Sequence, residues 1–125
     1  MVFGPRVGPN HCNPVGICHG AWLSTLADLL LPLTARLTID DLNDRFFLTV
    51  NLSLDFLDQA LLGSWLEGRA NVLRRTKRMV FVQGLLTTGG GAVLRASGVF
   101  RIGPPNGALA NLIETEMLCF GGRAT

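Results

Sequence analysis

NPVGICHGAWLSTLADLLLPL, residues 13–33, decides how the rest of the chain is read. From Gly20 onward, Trp22, Leu23, Leu26, Leu29, Leu30 and Leu33 recur at spacings of three and four, which predicts a helix with a broad apolar face. Pro32 predicts a kink or an end near the last turn, because proline lacks the N–H and crowds the carbonyl four residues back. From Trp22 to Leu33, Asp28 is the only charged residue. An isolated carboxylate in apolar surroundings is costly to bury unless something compensates it or uses it.

Composition narrows the setting. With 125 residues, 48% of them hydrophobic and 16% charged, the chain reads as one domain spanning 1–125. That charged fraction is well below the globular average of about 25%. Excess apolar surface on a small chain predicts a subunit interface, hence a homodimer and a dimer of dimers. A net charge of +2 excludes nucleic acid as the main partner. The longest unbroken apolar run, residues 29–33, contains Pro32 and is too short to span a bilayer, so no membrane partner is expected. MVFGPRVGPN at the start has Gly and Pro where a signal peptide needs a continuous apolar segment. Cys12, Cys18 and Cys119, an odd number, read as reduced and mostly buried thiols. A cytoplasmic location follows from that reading.

Upstream of the helix, residues 1–19 are punctuated by Gly and Pro and read as irregular loop. Downstream, residues 38–44 (TIDDLND) read as a polar loop, and then the period changes. In FLTVNLSLDFLD (residues 47–58), Leu48, Val50, Leu52, Leu54 and Phe56 alternate with Thr49, Asn51, Ser53 and Asp55, predicting a strand with one buried face. Residues 66–73 are a second strand candidate, followed by the basic turn RRTKR. MVFVQGLLT is a third, TGGG (88–91) a hairpin turn, and AVLRASGVFRI a fourth. One helix followed by a four-stranded antiparallel meander is an α+β layout, and a helix this apolar requires the sheet to curl around it. The core is expected over about residues 10–102, with 103–125 an appendage or short helix.

The motif chemistry can be argued from the residues. Gly20 opens the helix, where backbone N–H groups lack intrahelical acceptors and the dipole favours negative charge. A carbonyl placed there has its developing oxyanion stabilised, and glycine permits close approach. The plainer reading of Gly20 is a helix start. Asp28 lies eight residues on, about 12 Å along the same axis at 1.5 Å per residue. One reacting group cannot touch both ends of that span. The two share a substrate only if helices of two subunits run antiparallel past each other, so the distance demands a dimer with its site at the interface. Asp28 is then the nucleophile or the general base that activates water; the alternative is a solvated carboxylate or an ion pair with Arg36.

NPVGICHGAWLSTLAD resembles the N-x-x-G-x-x-H-G-G-x-x-x-x-L-x-D signature of PaaI-like hotdog-fold acyl-CoA thioesterases, of the 4-hydroxybenzoyl-CoA thioesterase superfamily. Asn13, Gly16, His19, Gly20, Leu26 and Asp28 fall at matching spacings. The second glycine of the motif is Ala21 here, and the strand that precedes the motif is missing or cut down to MVFGPRVGP. The resemblance implies an antiparallel sheet wrapped around a central helix, hydrolysis of an acyl-CoA thioester to free acid and coenzyme A, and the same interfacial site. It also implies a small hydroxyl residue on the strand facing Asp28, a position that Thr49 matches.

Other candidates have two readings each. Asn13 either orients water or substrate through its amide or caps a turn before Pro14. His19 either hydrogen-bonds near the carbonyl or fixes the loop. Trp22, with Leu23, suggests the wall of an apolar acyl pocket. Arg74, Arg75, Lys77 and Arg78 either grip coenzyme A phosphates or are simply solvated; the family often has Gly before the basic residue, where this chain has Thr76 before Lys77. HCNPVGICH holds two His and two Cys, but the five residues between Cys12 and Cys18 exceed zinc-knuckle spacing and no second ligand pair follows, so no metal is expected. No organic cofactor is required either, since coenzyme A enters as part of the substrate. The competing functions are a non-catalytic acyl-binding hotdog protein and a hotdog dehydratase or hydratase.

Overall fold

The computed structural model describes residues 2–105 and 123–124. Strand β1 spans Val2–Gly4, helix α1 Gly20–Thr38, β2 Arg45–Phe56, β3 Glu67–Arg75, β4 Met79–Thr88, β5 Gly91–Pro105 and β6 Arg123–Ala124. They form one antiparallel sheet in the order β2-β5-β4-β3-β1-β6, curled around α1. Of the predicted C-terminal appendage, residues 103–125, the first three continue β5 to Pro105, and the rest, with Cys119, lies outside the described residues apart from Arg123–Ala124.

The helix core is the apolar stripe anticipated from its spacing. Leu23, Leu26, Ala27, Leu30, Leu31 and Ala35 are buried against Leu66, Val80, Val82, Leu86, Leu94 and Phe100 of the sheet side. Burying each such leucine contributes roughly 1.5–3 kcal/mol. The close fit needs glycine beneath it: a Cβ on Gly68 would stand 2.8 Å from Leu30 Cδ2, and one on Gly98 3.1 Å from Leu31 Cδ1. Pro32 does not end the helix, which continues to Thr38 before Ile39 turns extended. The proline removes only the hydrogen bond to the Asp28 carbonyl, and burial of both flanks holds the remaining turns.

Three other expectations change. Residues 1–19 are not wholly irregular: β1 is present, cut to three residues and paired with β3. Residues 38–44 include a 3-10 turn, Asp40–Leu42, that buries Leu42. The sheet is not a four-stranded meander, because β2 pairs with β5 rather than β3. Only β3, β4 and β5 follow one another across the sheet. The reason lies in residues 57–66, a connection too long for a tight β2–β3 hairpin, which turns at Leu61–Ser64 and packs on the loop before α1. There, Cys18 N–H bonds the Ala60 carbonyl (2.7 Å) and Leu62 N–H the Gly16 carbonyl (2.9 Å). No helix among the described residues is long and apolar enough to cross a membrane.

Candidate active site

The loop before α1 is a hairpin built by its own sequence. Gly16 N–H bonds the Asn13 carbonyl (3.0 Å), closing a turn with Pro14 at its second position, and Asn13 N–H bonds the Ile17 carbonyl (2.9 Å). Gly16 has φ +80, the left-handed conformation that glycine adopts without strain. The Asn13 side-chain oxygen accepts from the Val15 and Ile17 N–H groups, both at 3.1 Å. Asn13 therefore caps the turn, with its oxygen engaged and its NH2 left to point elsewhere.

The returning arm delivers His19 as the residue before the helix. His19 N–H bonds the His11 carbonyl (2.8 Å), and its own carbonyl accepts from Trp22 and Leu23 N–H at 3.1 and 3.2 Å. Its imidazole is exposed and takes no hydrogen bond from the described residues. The N–H groups of Gly20 and Ala21 donate to no acceptor among the described residues, as a helix start predicts. A Cβ on Gly20 would stand 3.2 Å from Phe56 Cε1, so the end of β2 lies directly over the helix start.

Asp28 sits in the middle of α1 with its carboxylate exposed, and the Thr49 hydroxyl donates to its Oδ1 at 2.9 Å. A β-bulge makes this contact. Thr49 pairs with Phe100 while Asn51 pairs with Val99, so Val50 is an extra residue and the side-chain phase of β2 inverts there. Phe47 and Thr49 face the helix before the bulge; Leu52, Leu54 and Phe56, opposite Gly98, Ala96 and Leu94, face it afterwards. Leu48 and Val50, predicted to share the buried face, are 53% and 55% exposed. Arg36 does not pair with Asp28: its Nε donates to the Arg45 carbonyl and its guanidinium lies over the Phe47 ring, 5.2 Å from the centroid.

Trp22 stacks on His11, ring centroids 3.8 Å apart and planes 13° from parallel. His11 Nδ1 accepts from Gly8 N–H (2.9 Å), and burial lowers its pKa below 6.5, so the ring is held neutral. This residue carried no signal in the sequence beyond its place in the hairpin, since stacking across eleven positions obeys no local period. The same holds for Phe56 over Gly20.

The basic turn stands at the other end of the helix. Arg75 Nη1 contacts Asp41 Oδ1 at 2.6 Å, tying the turn to the Asp40–Leu42 segment that follows α1. The hydrogen bond from Arg75 lowers the Asp41 pKa, and its counterpart raises that of Arg75. Lys77 and Arg78 are exposed. Within one chain, then, Asp28 meets Thr49, and Gly20 shares the helix start with His19 and Trp22, while Asn13 stands further down the hairpin opposite Ile17, and the Asp28 and Gly20 groups stay about 12 Å apart along the axis.

Similar proteins agree with this architecture. The thioesterase superfamily profile matches residues 15–94. A Pseudomonas aeruginosa protein whose name carries an inferred esterase activity is 37% identical over 102 residues, covering 82% of this chain and 75% of its own length. A thioesterase assigned by inference from Ralstonia eutropha, related to phenylacetic acid degradation, superposes with TM-score 0.72 at 29% identity, over 80% of this chain and 74% of that one. A hypothetical thioesterase from Streptococcus pneumoniae, crystallised with coenzyme A, shares the fold with TM-score 0.72 at 19% identity, over 84% and 79%. With one helix wrapped by an antiparallel sheet, the fold is the hotdog, and the chain belongs to the thioesterase superfamily.

Proposed function

We propose that the protein hydrolyses an acyl-CoA thioester at a site completed by a second copy of the chain. The observation that carries this reading is the pairing of the exposed Asp28 carboxylate with Thr49 at mid-helix, while the unpaired amides of Gly20 and Ala21 lie about 12 Å away. Two antiparallel helices bring one chain's Asp28 beside the other's Gly20. The free edge of β2 carries exposed Phe46, Leu48 and Val50, apolar area that a partner strand would cover.

Asp28 takes a proton from water as the oxygen adds to the thioester carbonyl, or adds directly as nucleophile to give an acyl-enzyme anhydride that water then cleaves. Thr49 holds one carboxylate oxygen and leaves the other facing the substrate. The Gly20 N–H takes the negative charge that develops on the carbonyl oxygen. Collapse of the tetrahedral species breaks the carbon–sulfur bond, and coenzyme A leaves as the thiolate and recovers a proton. The Asn13 NH2 and His19 flank the carbonyl, and Trp22, backed by His11, forms an apolar wall for the acyl group. Arg75, Lys77 and Arg78 lie beyond the helix C-terminus, about 15 Å past Asp28, where they would meet the phosphates at the end of the pantetheine arm. No metal or organic cofactor enters the scheme.

The test is a panel of acyl-CoAs, aromatic and aliphatic, with the released thiol measured. Thiol release that Asp28→Asn abolishes is the expected result. Binding of acyl-CoA without thiol release would favour an acyl carrier over a hydrolase.

A further inference from the structure

Cys12 and Cys18 face each other as antiparallel partners across the neck of the hairpin that delivers His19 and Gly20. The bonds flanking them run from Asn13 N–H to the Ile17 carbonyl and from His19 N–H to the His11 carbonyl, so they form a non-hydrogen-bonded pair. Opposed Cα atoms in such a pair stand about 4.5 Å apart, inside the range a disulfide spans. Both side chains lie on the core side: Cys18 is buried, and Cys12, partly exposed, packs against the same cluster. Both are free thiols. Burial, and then the neighbouring Cys12, push the Cys18 thiol up to about 11, and Cys12, the less buried of the two, is the sulfur that solvent-borne reagents reach first.

We propose that Cys12 and Cys18 are a reversible disulfide site, oxidised by a glutathione-type disulfide, whose closure displaces the Gly20 amide. The Cys12 thiolate attacks one sulfur of oxidised glutathione; that S–S bond breaks and one glutathione leaves as thiolate, taking up the proton Cys12 lost. Cys18 then loses its proton and attacks the Cys12 sulfur, expelling the second glutathione. Two protein thiols are oxidised by two electrons, and one glutathione disulfide is reduced to two thiols. In a non-hydrogen-bonded pair the Cβ atoms lie toward the near end of about 4.5–5.5 Å, and a disulfide requires about 3.5–4.5 Å, so closure draws the two Cβ atoms together by up to about 1 Å. His19 follows Cys18 directly, so the shift passes to the helix start. A displacement of about 1 Å at a reacting group costs up to about a hundredfold in rate. This consequence rests on the proposed role of Gly20 in thioester hydrolysis.

The experiment uses the full chain carrying Cys119→Ser, incubated with oxidised glutathione, with peptide mapping and acyl-CoA turnover followed together. The expected product is a Cys12–Cys18 bond with no retained glutathione, a kcat lower by about tenfold or more, and recovery of both on adding dithiothreitol. Adding Cys12→Ser should abolish the bond and make turnover indifferent to oxidised glutathione. A glutathione adduct that stays on Cys12 beside a free Cys18 overturns the disulfide site. A bond formed with turnover unchanged overturns its control of Gly20. Absence of turnover in the reduced protein sinks the hydrolase reading and that control with it, while the mapping still decides the disulfide.

Discussion

The Thr49 hydroxyl, on a strand, donates a 2.9 Å hydrogen bond to Asp28 Oδ1 on the helix twenty-one positions earlier. It orients a carboxylate that has no ion-pair partner among the described residues. Orientation and reactivity are separable by mutation. Thr49→Ala removes one hydrogen bond to a charged acceptor and should lower kcat about tenfold, equivalent to about 1.4 kcal/mol. Asp28→Asn removes the base or nucleophile and should lower it at least about a hundredfold. Equal losses would mean that the roles are wrongly divided.

Asp28→Asn should also leave the protein folded, with thermal stability equal or improved, because the exposed carboxylate has no ion pair to lose and an amide oxygen still accepts the Thr49 hydroxyl. A thermal melt checks this alongside the kinetics. A folded variant that retains near-normal thioester hydrolysis would remove Asp28 from the mechanism.

Gly20→Pro isolates the backbone donor. Proline suits the first helical position, and the extended backbone of His19 (φ −61, ψ 135) is what a residue before proline requires. The substitution deletes an N–H that makes no internal hydrogen bond, and a Cβ there meets the Phe56 ring, which must shift a few tenths of an ångström. Circular dichroism should be unchanged while kcat falls about a hundred- to a thousandfold, the usual effect of losing one oxyanion donor. Retained activity would place the oxyanion elsewhere.

The proposed interfacial site makes a complementation test available. Refolding Asp28→Asn and Gly20→Pro chains together creates mixed dimers with one intact site and one doubly defective site. Activity should recover to about a quarter of wild type on random pairing, though each variant alone is nearly inactive. Mixed dimers seen by mass spectrometry without recovered activity, or light scattering that shows an active monomer, would refute the shared site.

His11 predicts an acid limb in stability. Its pKa is lowered from 6.5 by burial, and its Nδ1 accepts the Gly8 N–H only when neutral. The unfolded chain therefore binds the proton more readily than the folded one. The stabilisation is fully present above pH 6.5 and is lost as pH falls through the lower folded value. Urea melts between neutral and mildly acidic pH should show this loss, and His11→Gln should flatten it. An unchanged slope in the variant would assign the loss to another group.

Much of this protein is legible in the chain itself. The period of α1, the free amides that a Gly at its start implies, the turn that Asn13, Pro14 and Gly16 build, and the lone carboxylate at Asp28 are all local. Each depends on spacings within one or two turns of backbone, which sequence displays directly. The proposal of a second copy at the site also starts from a local quantity, the rise of one helix.

What only the tertiary structure decided are relations between segments far apart in the chain. Thr49 sits in the polar phase of an apparently unbroken alternation. It reaches Asp28 because Val50 bulges and inverts the phase, and that bulge exists only against the β5 register. Strand order depended on residues 57–66 crossing to bond with residues 16–18, a contact that no local period encodes. The stacking of His11 on Trp22 and the opposition of Cys12 to Cys18 arise where the hairpin folds back on itself and onto the helix. Periodicity reports which face of an element is apolar, but pairing partners and phase shifts are set by neighbours that lie distant in sequence.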